Sequence, residues 1–206
     1  MTVGQRFARL VTNAVVRRPG LWRLFRRPLR RQFDRIAPQW DQMRSPGHLA
    51  AFERALERVE PPPRRALDLG TGTGEGAFAV ARRFPDAEVV GVDIAEAMIA
   101  AARRKTSPEL APRVRFEVGD AAALPFEDGA FQLVSLANMI PFFDELARVV
   151  APGGFVVFSF SGGSETPIYV DSSRLRSDLG RRGFTDFADV EAGRGTAFLA
   201  RKGEAE

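Results

Sequence analysis

The chain has 206 residues, of which 45% are hydrophobic and 27% are charged, a composition typical of one soluble domain with a well-buried core. It contains no cysteine and a single histidine, His48, which excludes disulfide frameworks, thiolate nucleophiles and cysteine- or histidine-rich metal sites, so no metal is expected. No apolar stretch approaches the roughly 20 residues of a membrane span, and the apolar run at residues 11–16 is too short for a signal peptide. A cytoplasmic location is therefore expected.

The positive charge is concentrated at the N-terminal side of the chain. Residues 1–45 contain eleven arginines and two aspartates, a formal charge of +9, which leaves −5 for the rest of the chain. We therefore divide the chain into a basic helical arm, residues 1–45, and a mildly acidic body, residues 46–202.

Two amphipathic helices are predicted in the arm, because apolar residues recur there at helical spacing. The first helix ends at Pro19-Gly20, and its apolar stripe is Phe7, Leu10, Val11, Ala14 and Val15. Pro28 kinks or restarts the second, whose apolar side is Trp22, Phe25, Leu29 and Phe33. Three roles stay open: a cap packed on the body, a contact with an anionic membrane surface, or attraction of an acidic or nucleic-acid partner. Nucleic acid is the weakest of these, since no known nucleic-acid module accompanies the arginines.

A glycine-rich turn lies between a short apolar strand and a helix in residues 64–80, RRALDLGTGTGEGAFAV. Gly70, Gly72 and Gly74 occupy alternate positions in it. Such a turn lets a ligand approach the backbone where a Cβ would block it, and the helix that follows presents free N–H groups. The sequence thus predicts a ligand site at this turn.

The register of the turn distinguishes two cofactors. Gly72-x-Gly74-x-x-Ala77 with Asp93 about 20 residues on also satisfies the dinucleotide pattern. Asp68, two positions before the first glycine, would repel a pyrophosphate but suits the ammonium and sulfonium of S-adenosylmethionine. We therefore predict that S-adenosylmethionine, rather than NAD, binds here.

Two further acids follow predicted strands, and the carboxyl ends of parallel strands share one edge of a sheet. Asp93 is expected to accept hydrogen bonds from the ribose hydroxyls, although an acid there also suits a helix N-cap. Ile94 and Met98 would contact the adenine. Asp120 would accept from the adenine amino group, and the Ala121 N–H would donate to the ring.

The motifs resemble those of the class I S-adenosylmethionine-dependent methyltransferases, in particular the ubiquinone and menaquinone biosynthesis type. The matching strings, with Gln132 where the family usually has aspartate, are DLGTGTG, GDAAALPFEDGAF, ELARVVAPGG and FDRIAPQWD. The resemblance implies an α/β fold with a Rossmann-like, doubly wound, seven-stranded mixed sheet. The predicted cofactor-binding residues are Asp68, Gly70, Thr71, Gly72, Gly74, Asp93, Ile94, Met98, Asp120, Ala121 and Asn138.

The resemblance also places the FDRIAPQWD segment over the cofactor and the end of the fourth strand beside the substrate. Met139, Ile140, Phe142 and Phe143 would form an apolar wall, and Asn138 would orient a substrate or the methionine carboxylate. If the acceptor needs deprotonation, the candidate groups are His48, Asp41 and Tyr169. Trp40 is a further candidate pocket residue.

The hypothesis that these signals favour is methyl transfer from S-adenosylmethionine to a small, apolar or aromatic acceptor. One alternative is a non-catalytic cofactor-binding module that docks to a membrane or partner through the basic arm. Another is an NAD-dependent oxidoreductase, which depends only on the glycines and Asp93 and lacks a hydride-transfer constellation.

Overall fold

A seven-stranded sheet forms the centre of the computed structural model, which describes residues 3–204. Its strand order is β3-β2-β1-β4-β5-β7-β6. The strands are β1 (Arg65–Leu69), β2 (Glu88–Asp93), β3 (Val114–Val118), β4 (Phe131–Ala137), β5 (Val150–Phe160), β6 (Phe184–Ala192) and β7 (Gly195–Lys202). The first five run parallel, and β7 pairs antiparallel with both β5 and β6. This mixed α/β sheet confirms the predicted fold class.

Seven α-helices flank the sheet. They are α1 (Val3–Arg17), α2 (Trp22–Ile36), α3 (Ala50–Leu56), α4 (Glu75–Arg83), α5 (Glu96–Lys105), α6 (Phe143–Val149) and α7 (Ser172–Gly180). Alternate strand residues supply the two faces: Leu67 and Leu69 pack with α6 and α7, whereas Ala66 packs with α3, α4 and α5. No helix in the range 3–204 is long and apolar enough to cross a bilayer.

The arm belongs to the same core as the body. Val11 and Val15 of α1 and Trp22 of α2 are buried in the cluster that holds Leu67 and Leu69. A 3-10 turn, Pro19–Leu21, joins the two helices, as the Pro19-Gly20 signal predicts. The arm is therefore a packed layer of the folded molecule.

The apolar face predicted for α1 is buried over only part of its residues. Val11 and Val15 are buried, but Phe7 is 55% and Leu10 is 61% exposed. The apolar arc of the helix is wider than the surface that the body offers, so its Phe7 side remains in solvent.

One local prediction also needs correction. Pro28 does not restart the second helix: α2 runs through it, and the Pro28 ring lies on the exposed side. The next helix, α3, begins at Ala50 after a turn. β5 begins at Val150, which pairs with Phe131 before a register shift accommodates the glycines.

Candidate functional site

The glycine turn lies where the sheet order reverses, between β1 and its neighbours β2 and β4. Gly70 and Gly72 have φ values of 64° and 54°, in the left-handed region. A Cβ at Gly70 would come within 2.8 Å of the Met139 sulfur, and one at Gly72 would come within 3.2 Å of Trp40 Nε1. The turn is thus closely covered by residues that approach it from β4 and from the arm.

Asp68 does not face the surface of this turn. It is 2% exposed, and its carboxylate accepts hydrogen bonds of 2.7 Å from Thr71 Oγ1 and from Ser135 Oγ. A Cβ at Gly76 would lie 2.8 Å from both carboxylate oxygens, so the first turn of α4 closes the remaining side. Asp68 and Thr71 thus brace the turn from within, and the ligand contact predicted for Asp68 stays a prediction. Burial raises the pKa of Asp68 to about 6, although these hydrogen bonds oppose the rise.

Asp93 links the turn to the next helix. Its two carboxylate oxygens accept from the backbone N–H groups of Gly72 and Ala95, each at 2.9 Å. Burial raises its pKa, while these backbone donors act in the opposite direction. The side chain is only partly buried, so each oxygen keeps capacity for a second donor at the sheet edge.

Asp120 contacts two side chains of the arm. Its Oδ1 accepts from Trp22 Nε1 at 2.7 Å and from Ala122 N at 3.0 Å, and Arg26 lies 3.6 Å from Oδ2. Trp22 packs edge-on against Phe142 at 5.3 Å between ring centroids. The arm thus supplies an N–H donor to the carboxylate that the sequence assigned to the adenine amino group.

A cavity of about 310 Å³ opens between the arm and the ends of β2 and β3. Its lining residues are Arg26, Arg27, Arg30, Ile94 and Asp120. Ile94 and Asp120 therefore line the same cavity, and their contacts with an adenine stay predictions. Met98 is not brought to this cavity: it is 1% exposed and packs with Ala37 and Ala95 beneath Trp40. The Ala121 side chain is buried in the core.

Two buried donors without partners lie beside the glycine turn. Trp40 Nε1 and Arg44 Nε have no hydrogen-bond acceptor within the described part of the chain. The Arg44 guanidinium stacks on the Trp40 ring, 5.2 Å from its centroid, and its Nη2 would lie 3.6 Å from a Cβ at Gly72. Unpaired buried donors are costly, so this arrangement suits an anionic ligand group over Gly72.

A charged network fixes this part of the arm to the turn. Thr73 donates to Asp41 at 2.6 Å, and Lys105 binds the same carboxylate at 2.9 Å. Arg44 and His48 both contact Glu75, the first residue of α4, at 3.0 and 2.8 Å. The FDRIAPQWD segment and the residues after it are therefore fixed over the glycine turn.

The end of β4 is anchored to β5. Asn138 adopts a left-handed conformation with φ 53°, and its side-chain oxygen accepts from Ser161 N at 2.9 Å while its amide donates to Ser161 Oγ at 3.1 Å. The side chain of Asn138 thus joins the ends of β4 and β5, and its role in orienting a ligand stays a prediction. The predicted apolar wall is reduced to Met139, since Ile140, Phe142 and Phe143 are core residues.

Comparison with known proteins shows what this chain is similar to. Residues 66–154 match the methyltransferase domain family. A demethylmenaquinone methyltransferase of Thermus thermophilus is 43% identical over 140 residues, which cover 61% of this chain and 62% of that protein. A malonyl-[acyl-carrier protein] O-methyltransferase of Halorhodospira halophila is 42% identical over 147 residues, covering 66% of this chain and 49% of that protein. The chain thus spans about half to three-fifths of the length of these two relatives.

Over residues 66–154, the chain is thus similar to methyltransferase domains.

Solved structures agree on the fold. A methyltransferase from Aquifex aeolicus superposes with a TM-score of 0.67 at 18% identity, covering 80% of this chain and 97% of that one. Human N-acetylserotonin methyltransferase, solved with S-adenosylmethionine, gives a TM-score of 0.61 at 19% identity, covering 75% of this chain and 52% of that one.

The candidate bases predicted from the sequence are poorly suited to take a proton. Burial and the nearby Asp171 raise the pKa of Tyr169, so its hydroxyl stays protonated at neutral pH. Burial alone would raise the pKa of Asp41, but Lys105, Thr73 and Arg44 outweigh it and hold the pKa below its usual value. His48 lines a separate cavity of about 470 Å³, with Glu75 and Phe78.

Sequence reasoning missed three contributors to the site, namely Trp22, Arg26 and Arg44. It treated the arm as a separate unit, so it had no means of placing Trp22 on Asp120. Arg44 could not be recognised as a site residue, because the arm contains eleven arginines and no local motif distinguishes this one.

Proposed function

We propose that this chain transfers a methyl group from S-adenosylmethionine to a small molecule. One observation carries the proposal. The cavity at Ile94 and Asp120 and the unpaired donors at Trp40 and Arg44 lie along the same carboxyl edge of a class I methyltransferase sheet.

The residues present fit the cofactor. Ile94 and Asp120 suit the adenine end, Asp93 suits the ribose, and Trp40 with Arg44 suits the carboxylate of the amino-acid end. Asp68 stabilises the glycine turn, and its buried negative charge favours a cationic ligand nearby.

S-adenosylmethionine would supply a methyl group on a cationic sulfur that is already a good leaving group. The protein therefore has to align the acceptor and exclude water rather than supply a strong base. Trp40 and Met139 cover the turn, and the charged network at Asp41 and Glu75 fixes the segment above it.

We propose an apolar or aromatic acceptor. Met139 and the Trp40 ring are the side chains nearest the turn, and both favour an apolar neighbour. The names of the relatives show that close sequences serve two acceptor chemistries, demethylmenaquinone in one and a malonyl group on a carrier protein in the other. A soluble naphthoquinol is the first acceptor to test.

Isothermal titration with S-adenosylmethionine and with NAD tests the cofactor. We expect binding of S-adenosylmethionine alone, and preferential binding of NAD would reject the proposal. Transfer of a radiolabelled methyl group to the naphthoquinol tests the reaction. Cofactor binding with no transfer to any of a panel of quinols, phenols and acyl carriers would instead favour a non-catalytic cofactor-binding module.

A further inference from the structure

We propose that the outer face of the arm docks on the surface of an anionic lipid bilayer. Five large apolar side chains are mostly exposed in the described range, and three of them, Phe7, Leu10 and Leu24, lie on α1 and α2. The two arm helices make up 30 of the 206 residues, so the exposed apolar side chains are concentrated there.

The three residues point away from the body. Leu10 precedes the buried Val11 by one position and follows Phe7 by three, so Phe7 and Leu10 share a face of α1. Leu24 is two positions from the buried Trp22, which places it on the opposite side of α2. The arm therefore presents apolar groups outward on both helices.

Cations surround these apolar groups. Six arginines on and between the two helices are exposed and lie outside the lining of the cavity at Asp120: Arg6, Arg17, Arg18, Arg23, Arg31 and Arg35. The acidic residue within residues 3–36 is Asp34, whose carboxylate accepts from Ala97 N at 3.0 Å on the body side. An apolar strip set among arginines is the pattern of a helix that lies in the interface of an anionic bilayer.

The body holds the arm in place. Val11 and Val15 are buried in the main core, and Arg9 donates to the carbonyl oxygens of Ser164 and Thr166 at 2.8 Å each. Since these contacts occupy the inner face, the outer face can bind a surface without any loss of the packing beneath it.

The chemistry favours a bilayer over other occupants. A second copy would bring these six arginines against their six counterparts. Nucleic acid would pair with the arginines but would gain nothing from Phe7, Leu10 and Leu24. An anionic bilayer binds both groups of side chains, because its headgroups attract the arginines and its interior accepts the apolar side chains.

Vesicle flotation tests this docking. The probe is vesicles of phosphatidylcholine and phosphatidylglycerol in roughly a two-to-one ratio, with pure phosphatidylcholine as the neutral comparison. We expect the wild type to float with the anionic vesicles only. The triple variant Phe7→Ser, Leu10→Ser, Leu24→Ser should bind about tenfold more weakly or worse. The matched control, Met43→Ser with Val118→Ser, removes the other two exposed apolar side chains and should bind like the wild type.

A second variant, Arg17→Gln with Arg31→Gln and Arg35→Gln, measures the charge contribution and should also weaken binding about tenfold. Docking is overturned if the wild type does not bind anionic vesicles. It is also overturned if the serine variant floats as well as the wild type, because binding would then depend on charge alone. It is also overturned if the wild type forms a dimer that the serine variant lacks, or binds an acidic carrier protein but no vesicle. Titration with S-adenosylmethionine is unaffected by these variants, so failure of docking and failure of the proposed function are separable.

Discussion

At the scale of single residues, Asp68 is a carboxylate enclosed with two hydroxyl donors, and the opposing effect of Arg44 on its pKa is smaller than that of burial. Its pKa of about 6 in the fold exceeds its ordinary value of 3.8, so the folded state holds this proton more tightly than the unfolded state does. The stability it contributes is present below about pH 4 and is lost as pH rises through about 6. We predict that wild type loses roughly 3 kcal/mol relative to Asp68→Asn across this range, measured by urea unfolding at several pH values.

Asp171→Asn is the matched control, because the carboxylate of Asp171 caps α7 and accepts from Ser173 N at 2.9 Å. That bond lowers the pKa of Asp171, so its contribution is present above the ordinary pKa and is lost on acidification. The two variants should therefore diverge from wild type in opposite directions. Parallel curves for wild type and Asp68→Asn would contradict the placement of Asp68.

Arg44 belongs to the same scale, and its role can be isolated with a truncated ligand. Arg44→Gln should weaken the binding of S-adenosylmethionine about tenfold, roughly 1.4 kcal/mol, because it removes a cation from the proposed carboxylate position. Methylthioadenosine has no carboxylate and should bind both proteins equally. Calorimetric titration measures both ligands, and Arg54→Gln, which changes an exposed ion pair with Glu57, is the control. An equal loss for both ligands would show that Arg44 acts only through the fold.

At the scale of elements, the loop between β3 and β4 is held by α6. Arg148 donates to the carbonyl of Leu124 at 3.0 Å and to Glu145 at 2.8 Å, and Glu145 accepts from Leu124 N at 2.7 Å. Arg148→Met should cost about 1–3 kcal/mol of unfolding free energy, since it leaves the partly buried Leu124 carbonyl without this donor and Glu145 without its cationic partner. Arg115→Met, which breaks the exposed pair with Glu117, should cost less than about 1 kcal/mol in the same denaturation experiment.

The faces of α1 give a second prediction for an element. Val15→Ala removes buried methyl groups from the core and should destabilise the protein by about 1–2 kcal/mol. Leu10→Ala lies on the exposed side and should change stability by no more than about 0.5 kcal/mol. Thermal unfolding compares the two, and equal effects would show that α1 is oriented differently.

What the sequence could predict depended on whether the signal was local. The strand ends at Asp93 and before Asp120 follow from residues close together in the chain, and both strands end where they were predicted to end. The orientation of Asp68 and the pairing of Asn138 with Ser161 depend on other strands, so local pattern could not supply them. The family resemblance predicted the cofactor, but it could not predict the hydrogen bond from Trp22 to Asp120.

At the scale of the whole molecule, the site is assembled from the arm, the glycine turn and the ends of three strands. A ligand bound there should stabilise all of them together. At a concentration about 100 times its dissociation constant, S-adenosylmethionine should add roughly 2.7 kcal/mol and raise the melting temperature by about 5–10 °C. Hydrogen exchange should slow in residues 22–44 as well as in residues 68–75. Protection restricted to the turn would contradict a site that the arm closes.

The attachment of α1 has a consequence for biosynthesis. Arg9 binds the carbonyl of Thr166, 157 residues later in the chain, so its anchor does not yet exist when the arm leaves the ribosome. At about 5–20 residues per second, the delay is on the order of ten seconds. Throughout that interval, the apolar residues on both sides of α1 and α2 are exposed to solvent. A chaperone that binds nascent chains can bind them most readily then.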